Sequence, residues 1–345
     1  MSRGASVIVA GAGALGLSAA LALAEAGCSV RVCDPSGEPR ASGVAAGMLA
    51  PVFEAALDSE SAGDLDLLLA ARNLWPALAA RAGVELDRSG AAAVGSEAWL
   101  ADIRARLGRL GLRGAELPPA MLAELVPGIA ADLGGILVRE DWRLEPLPAL
   151  AALRQAAEAA GVTFETARVR GRGEADWLVI ATGADPGLRD LAPELGVLTP
   201  IKGQILRYFD RRGGRVSVSV RGEGAYAVPA SDGLAIGATM ETGVSDPAID
   251  PAALAPLAAA AGRLFPTLAD ATFGVSAGIR AATPDGLPMV GPSRTAGVIL
   301  AVGARRNGWL LAPLVARVVA ACATGRDAGP YAARLDPLRF QPASR

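Results

Sequence analysis

The chain of 345 residues contains no histidine, so its chemistry falls to glycines, acids and arginines. That absence excludes Ser-His-Asp and Cys-His nucleophiles, His-ligated metals and His general bases together, and any catalysis must lean on a bound cofactor. Residues 7–34, VIVAGAGALGLSAALALAEAGCSVRVCD, supply the means of holding one. They read as an apolar strand, a glycine turn, an Ala/Leu helix and a second strand ending in an acid. Gly11 permits the tight turn, Gly13 lets backbone approach a pyrophosphate, and Gly16 lets the helix pack on the strand. Ala12, Ala14 and Leu15 complete this expected cofactor-binding turn. Asp34, 18 residues after Gly16, falls where a ribose hydroxyl needs an acceptor.

Arginine is the second chemical signal. Arg280 lies in SAGIRAATPDGLPMVGP and Arg306 in ARRNG, glycine-rich segments that read as rigid turns. A guanidinium offers a carboxylate two parallel hydrogen bonds, so both are candidate substrate clamps. Tyr226, on an expected strand, either hydrogen-bonds the same ligand or packs there. Lys202 is the only lysine beside 32 arginines, with a site role and a plain strand position both open. The segment GVILAVGARRNGWLLAP reads as strand, turn and helix, the helix starting near Trp309 with Pro313 in its first turn. Its positive end faces whatever lies beyond Gly303, which suits a reduced flavin carrying negative charge at N1 and the C2 carbonyl. A nicotinamide has no such need.

Several elements must position these groups. ASGVAAGMLAP at 41–51 is small enough to press backbone against a flat ring. Helices are expected at 62–82, 96–110, 146–160, 251–265 and 309–323, and strands at 162–169 and 175–184. A Pro-rich crossing spans 117–128. LTPIKGQILRY, GRVSVSVR, AYAVPA and LAIGATM, separated by glycine turns, read as an antiparallel sheet, and 275–325 as a glycine- and proline-rich loop before the last strand at 297–303 and its helix. The chain thus returns to its first domain: 1–82, 140–196 and 275–345 form a discontinuous nucleotide domain, and 83–139 with 197–274 a substrate domain.

Composition sets outer limits. At 52% hydrophobic, the chain can bury a large core, and its formal charge of −2 offers no basic surface for nucleic acid. Cys28, Cys33 and Cys322 lack CxxC spacing, which argues against zinc and disulfides and suits a reducing, cytoplasmic setting. Four glycines and Glu25 within 7–27 argue against a membrane span or signal peptide.

GAGALGLSAALALAEAG, AAGMLAP, ATGA, PIKGQ, AYAVP, GIRAATPDGLPMVG and RRNGWLLAP together resemble the FAD-dependent D-amino-acid oxidase superfamily, in particular its glycine oxidases of thiamine biosynthesis. The resemblance implies an α/β fold: an FAD-binding Rossmann-like domain of the glutathione-reductase type with a second α+β substrate domain built on an antiparallel sheet. It implies oxidation of glycine or another small amino acid by hydride transfer to flavin, with O2 as acceptor. By that match Arg280 binds the substrate carboxylate, with Arg306, Tyr226 and Met48 around it. Ser42, Ala46, Gly47, Met48, Val169, Thr182, Gly183 and Gly303 bind FAD, and Ala304, Arg305, Arg306, Asn307, Gly308, Trp309 and Leu310 wrap its pyrimidine edge. Relatives with covalent flavin carry a cysteine two residues before the position of Arg280; here it is Gly278, which implies non-covalent FAD. Family members often form homo-oligomers. Two departures, Ala304 and Arg305 in GARRNG where relatives have GHxRNG and the lack of tryptophan after ATGA, bear on the substrate. D-amino-acid or sarcosine oxidation, or flavin binding without turnover, are the alternatives; an NAD enzyme leaves the last glycine turn unexplained.

Overall fold

A computed structural model describes residues 4–35, 41–209 and 216–340. The first sheet has six strands in the order Met289–Pro292, Val298–Val302, Trp177–Ile180, Ser6–Ala10, Ser29–Cys33 and Thr163–Glu165. All neighbours run parallel except the first pair. Its inner strands are buried on both faces, as a parallel sheet between layers requires. The helix Ala14–Glu25 packs along the last long helix, Gly308–Thr324, which in turn lies against Leu65–Ala82. Buried Leu17, Leu21, Trp75, Leu310, Leu314 and Val318 join them in one core.

The second sheet has nine strands. Thr199–Tyr208 is its spine, pairing antiparallel with Gly233–Gly237 and Glu241–Thr242 on one side and with Gly274–Ala282 on the other. Tyr226–Ala230, Ser219–Gly222, Ala91–Gly95, Gly134–Val138 and Ala115–Leu117 extend it. Ser219–Gly222 and Ala91–Gly95 pair in parallel, which departs from the antiparallel sheet the sequence suggests. The expected strand 214–221 lies partly outside the described residues, and its visible part is Ser219–Gly222.

The expected loop after residue 275 is the largest local difference. Gly274–Ala282 is a nine-residue strand, and the domain boundary placed at 275 falls within it. Its glycines suggest a loop because glycine weakens strands, yet Gly278 is held opposite Gly203 by register. A Cβ at Gly278 would come within 3.1 Å of the Ala41 Cα, so the glycine marks a close approach. Other expectations shorten rather than fail: 162–169 contracts to Thr163–Glu165, and the crossing at 117–128 holds a helix at Pro119–Leu125. No described helix is long and apolar enough to cross a membrane.

Candidate active site

The first glycine turn sits between Ser6–Ala10 and Ala14–Glu25, at the carboxyl end of the sheet. Gly11 has φ +107°, a conformation L side chains avoid, and a Cβ on Gly16 would collide with the Gly11 carbonyl. No side chain of the N-cap, Gly13, closes the helix. Ser42 does this from a distance, its Oγ accepting from the Ala14 N–H at 3.0 Å, while the Ala12 N–H donates to Asp34 Oδ2 at 2.7 Å. Asp34 and Ser42 therefore both meet the turn. Leu15 packs against the core. Thr182 and Gly183 follow Trp177–Ile180, and the buried Thr182 Oγ1 has no hydrogen-bond partner among the described residues. A buried hydroxyl normally has one, so a ligand oxygen or nitrogen fits there. Val169 packs into the hydrophobic cluster on the sheet's other side.

A cavity of about 460 Å³ opens between the two sheets. Ser42, Ala46, Gly47, Met48, Tyr226, Arg280, Arg305, Arg306, Asn307, Gly308 and Trp309 line it. Chain segments far apart in sequence thus converge on it. Gly11, Ala12, Gly13, Ala14, Leu15, Gly16, Asp34, Val169, Thr182, Gly183, Gly303, Ala304 and Leu310 are not among its lining residues. Gly303 turns at φ +84° against Thr283, Ala304 bridges to Ala282, and Leu310 is fully buried.

Arg280 corrects the turn expectation: it stands on the strand Gly274–Ala282. Its guanidinium lies over Gly203, where any Cβ would overlap it. Its Nη1 reaches the Thr239 carbonyl and the Met240 sulfur, each at 3.3 Å. It makes no ion pair among the described residues, and burial, aided by the Arg306 and Arg305 charges, outweighs Tyr226 and Glu54 to lower its pKa. Gly237 likewise vacates the space the Tyr226 hydroxyl fills. Burial raises the Tyr226 pKa, against the charges of Arg280 and Arg221. The tyrosine therefore stays protonated, a donor beside the clamp.

Arg306, in contrast, is held. Its Nε donates to Glu54 Oε2 at 2.6 Å and its Nη2 pairs with Asp58 at 3.2 Å. Burial disfavours its charge, but Glu54 and Asp58 outweigh that and raise its pKa. Glu54 also pairs with Arg221, and Arg305 pairs with Asp58 and with Glu60. Arg306 and Arg221 together keep the buried Glu54 ionised, its pKa lowered despite desolvation. Glu54 rides on the short helix Pro51–Leu57, whose N-cap, Ala50, offers no side-chain acceptor. Asp141 supplies one, accepting from Val52 N–H at 2.8 Å and Phe53 N–H at 3.0 Å. Burial pushes its pKa to about 7 against those two bonds.

The final helix begins at Gly308, so Pro313 falls in its second turn and not, as the sequence suggests, in its first. The ring removes the N–H that would reach the Trp309 carbonyl, and Trp75 Nε1 donates to that carbonyl instead at 3.0 Å. Asn307 makes no side-chain cap bond, so the helix's first N–H groups remain for a ligand at the cavity wall. Lys202 faces away from the cavity, donating to the Ala248 carbonyl and pairing with Glu241. Arg221, Glu54, Gly203 and Gly237 escape the sequence reading. Glu54, an acid within the apolar run PVFEAAL, was the one legible signal among them.

Comparison with known proteins agrees with this geometry. The family described as "DAO: FAD dependent oxidoreductase" matches residues 6–322. The chain belongs to that family. It is 30% identical to the bifunctional protein ThiO/ThiG of Trichormus variabilis over 97% of this chain and 55% of the relative. It is 35% identical to the glycine oxidase of Pseudomonas aeruginosa over 56% of this chain and 51% of that one. The chain spans about half the length of the curated relatives it matches. The crystal structure of glycine oxidase from Geobacillus kaustophilus superposes with a TM-score of 0.82 at 25% identity, covering 98% of this chain and all of that one. FAD is the family's cofactor, and the glycine turn, the unpartnered Thr182 hydroxyl and the uncapped final helix fit it.

Proposed function

We propose that the protein is an FAD-dependent amino-acid oxidase of the glycine oxidase type, with glycine or another small amino acid as substrate. The observation that carries this reading is Arg280: a half-buried guanidinium in the cavity wall without an acidic partner among the described residues, while neighbouring arginines have theirs. A substrate carboxylate supplies the missing charge, in a bidentate pair that fixes the ligand. Tyr226, kept protonated, donates to the same carboxylate. Ala46, Gly47 and Met48 would hold the flavin ring, and the N-terminus of Gly308–Thr324 would meet its negative charge.

FAD, when bound, accepts hydride from the substrate Cα and passes two electrons to O2. The chain's own part is positioning: Arg280 and Tyr226 orient the Cα–H bond, and no protein base takes the α-proton. Water hydrolyses the resulting imine, so glycine, O2 and water give glyoxylate, ammonia and hydrogen peroxide. Gly278 in place of a cysteine supports non-covalent FAD. Relatives named ThiO/ThiG support a role in thiazole assembly for thiamine.

The test is the visible spectrum of the purified protein under anaerobic conditions, before and after glycine. Bleaching of the flavin band is the expected result. A yellow protein that no small amine bleaches would make this a flavin-binding protein without turnover.

A further inference from the structure

Arg221 is not accounted for by glycine oxidation. It lies on Ser219–Gly222, directly opposite Tyr226 in the antiparallel pair, so the two side chains share a face. Its side chain is 9% exposed and lines the cavity. One amino group pairs with Glu54, Nη1 ends on the Met48 sulfur at 3.3 Å, and Nε has no partner among the described residues. A thioether is a weak acceptor, so two of its donor positions lack a proper oxygen. Glu54 is shared with Arg306, which donates to its other oxygen at 2.6 Å, so Arg221 spends one amino group on it and keeps the rest of its fork.

The charges point the same way. Arg221, Arg280, Arg305 and Arg306 line the cavity, and two buried carboxylates, Glu54 and Asp58, answer them. Glu60 is half-exposed and screened, and the Asp141 carboxylate is occupied by the Val52 and Phe53 N–H groups. The α-carboxylate at Arg280 answers one of the two excess positive charges. The other remains beside Arg221 and Arg306.

We propose that this pocket is built for an amino acid carrying a second acidic group, with Arg280 reading the α-carboxylate and Arg221, beside Arg306, reading the second acid. A ligand spanning the two passes Tyr226, which feels both guanidiniums. The inference rests on the amino-acid oxidase reading and specifies its substrate class.

Acid and amide isosteres test it with the holoenzyme: aspartate against asparagine in both enantiomers, and N-(carboxymethyl)glycine against its monoamide. At least one acid is expected to exceed its amide about tenfold or more in kcat/KM, and Arg221→Met is expected to bring that ratio close to one. Should Arg221→Met fail to fold, the wild-type ratios decide alone. Oxidation of glycine with every amide equal to or better than its acid overturns the second-acid site and leaves the oxidase reading intact. A preference for acid that persists undiminished in Arg221→Met overturns the role of Arg221, and a flavin that no amine reduces overturns both readings.

Discussion

Arg280 and Gly203 are best understood as one unit, a guanidinium and the empty space it occupies. Truncation in Arg280→Ala removes the clamp and is expected to weaken glycine binding by roughly 2–5 kcal/mol, seen as a rise in KM. An unchanged KM would refute the assignment. Gly203→Ala separates position from presence. The added methyl overlaps the flexible end of Arg280 rather than backbone, so the guanidinium moves while the strand persists. KM is expected to rise at least tenfold with little change in Tm; a normal KM would mean the clamp does not need its present pose. Arg305 shows the opposite economy of space: it adopts φ +51°, a strained region for a non-glycine residue, and is held there by Asp58 and Glu60.

At the scale of elements, two helices carry defects that distant residues mend. Pro313 deprives the Trp309 carbonyl of its helical donor, and Trp75 restores it from Leu65–Ala82. Trp75→Phe keeps the packing but leaves that carbonyl buried and unpaired, with an expected loss of about 1–3 kcal/mol in denaturant unfolding. The helix Pro51–Leu57 depends on Asp141 in the same manner, and here the effect follows pH. The folded pKa of about 7 exceeds the ordinary carboxylate value. Stability from protonated Asp141 is therefore complete below about pH 4 and lost as pH rises through 7. Asp141→Asn lacks this titration, so its stability relative to wild type should rise between pH 5 and 8, by on the order of 2 kcal/mol; a flat difference would show that Asp141 does not titrate there. These repairs mark the limit of sequence reading. The glycine turn and the strand, turn and helix around Arg306 were legible because local spacing and side-chain chemistry encode them. The strand around Arg280 was not, because Gly278 is tolerated there only through its register with Gly203 and its contact with Ala41. Arg221 and Glu54 meet across 167 residues, a proximity that only the tertiary fold creates.

Over the whole molecule, the cavity draws its walls from residues 41–57, 203–205, 221–226, 237–240, 278–280 and 305–309, so it exists only when both sheets are in place. Cofactor binding and global stability must then be linked. A ligand that binds only the folded chain stabilises it by about 2.7 kcal/mol at a hundredfold excess over its Kd. With the unfolding entropy of a chain of 345 residues, that corresponds to a rise in Tm of roughly 4 °C. FAD added to the cofactor-stripped protein should produce such a shift, saturating with concentration, and NAD should not. The contrast follows from the far end of the site. Both dinucleotides share the adenylate and pyrophosphate that suit the Gly11–Gly16 turn, but only the flavin ring presents a pyrimidine edge to the uncapped helix at Gly308. An equal shift with NAD would mean that the first turn alone supplies the affinity and that the cavity walls do not recognise the ring.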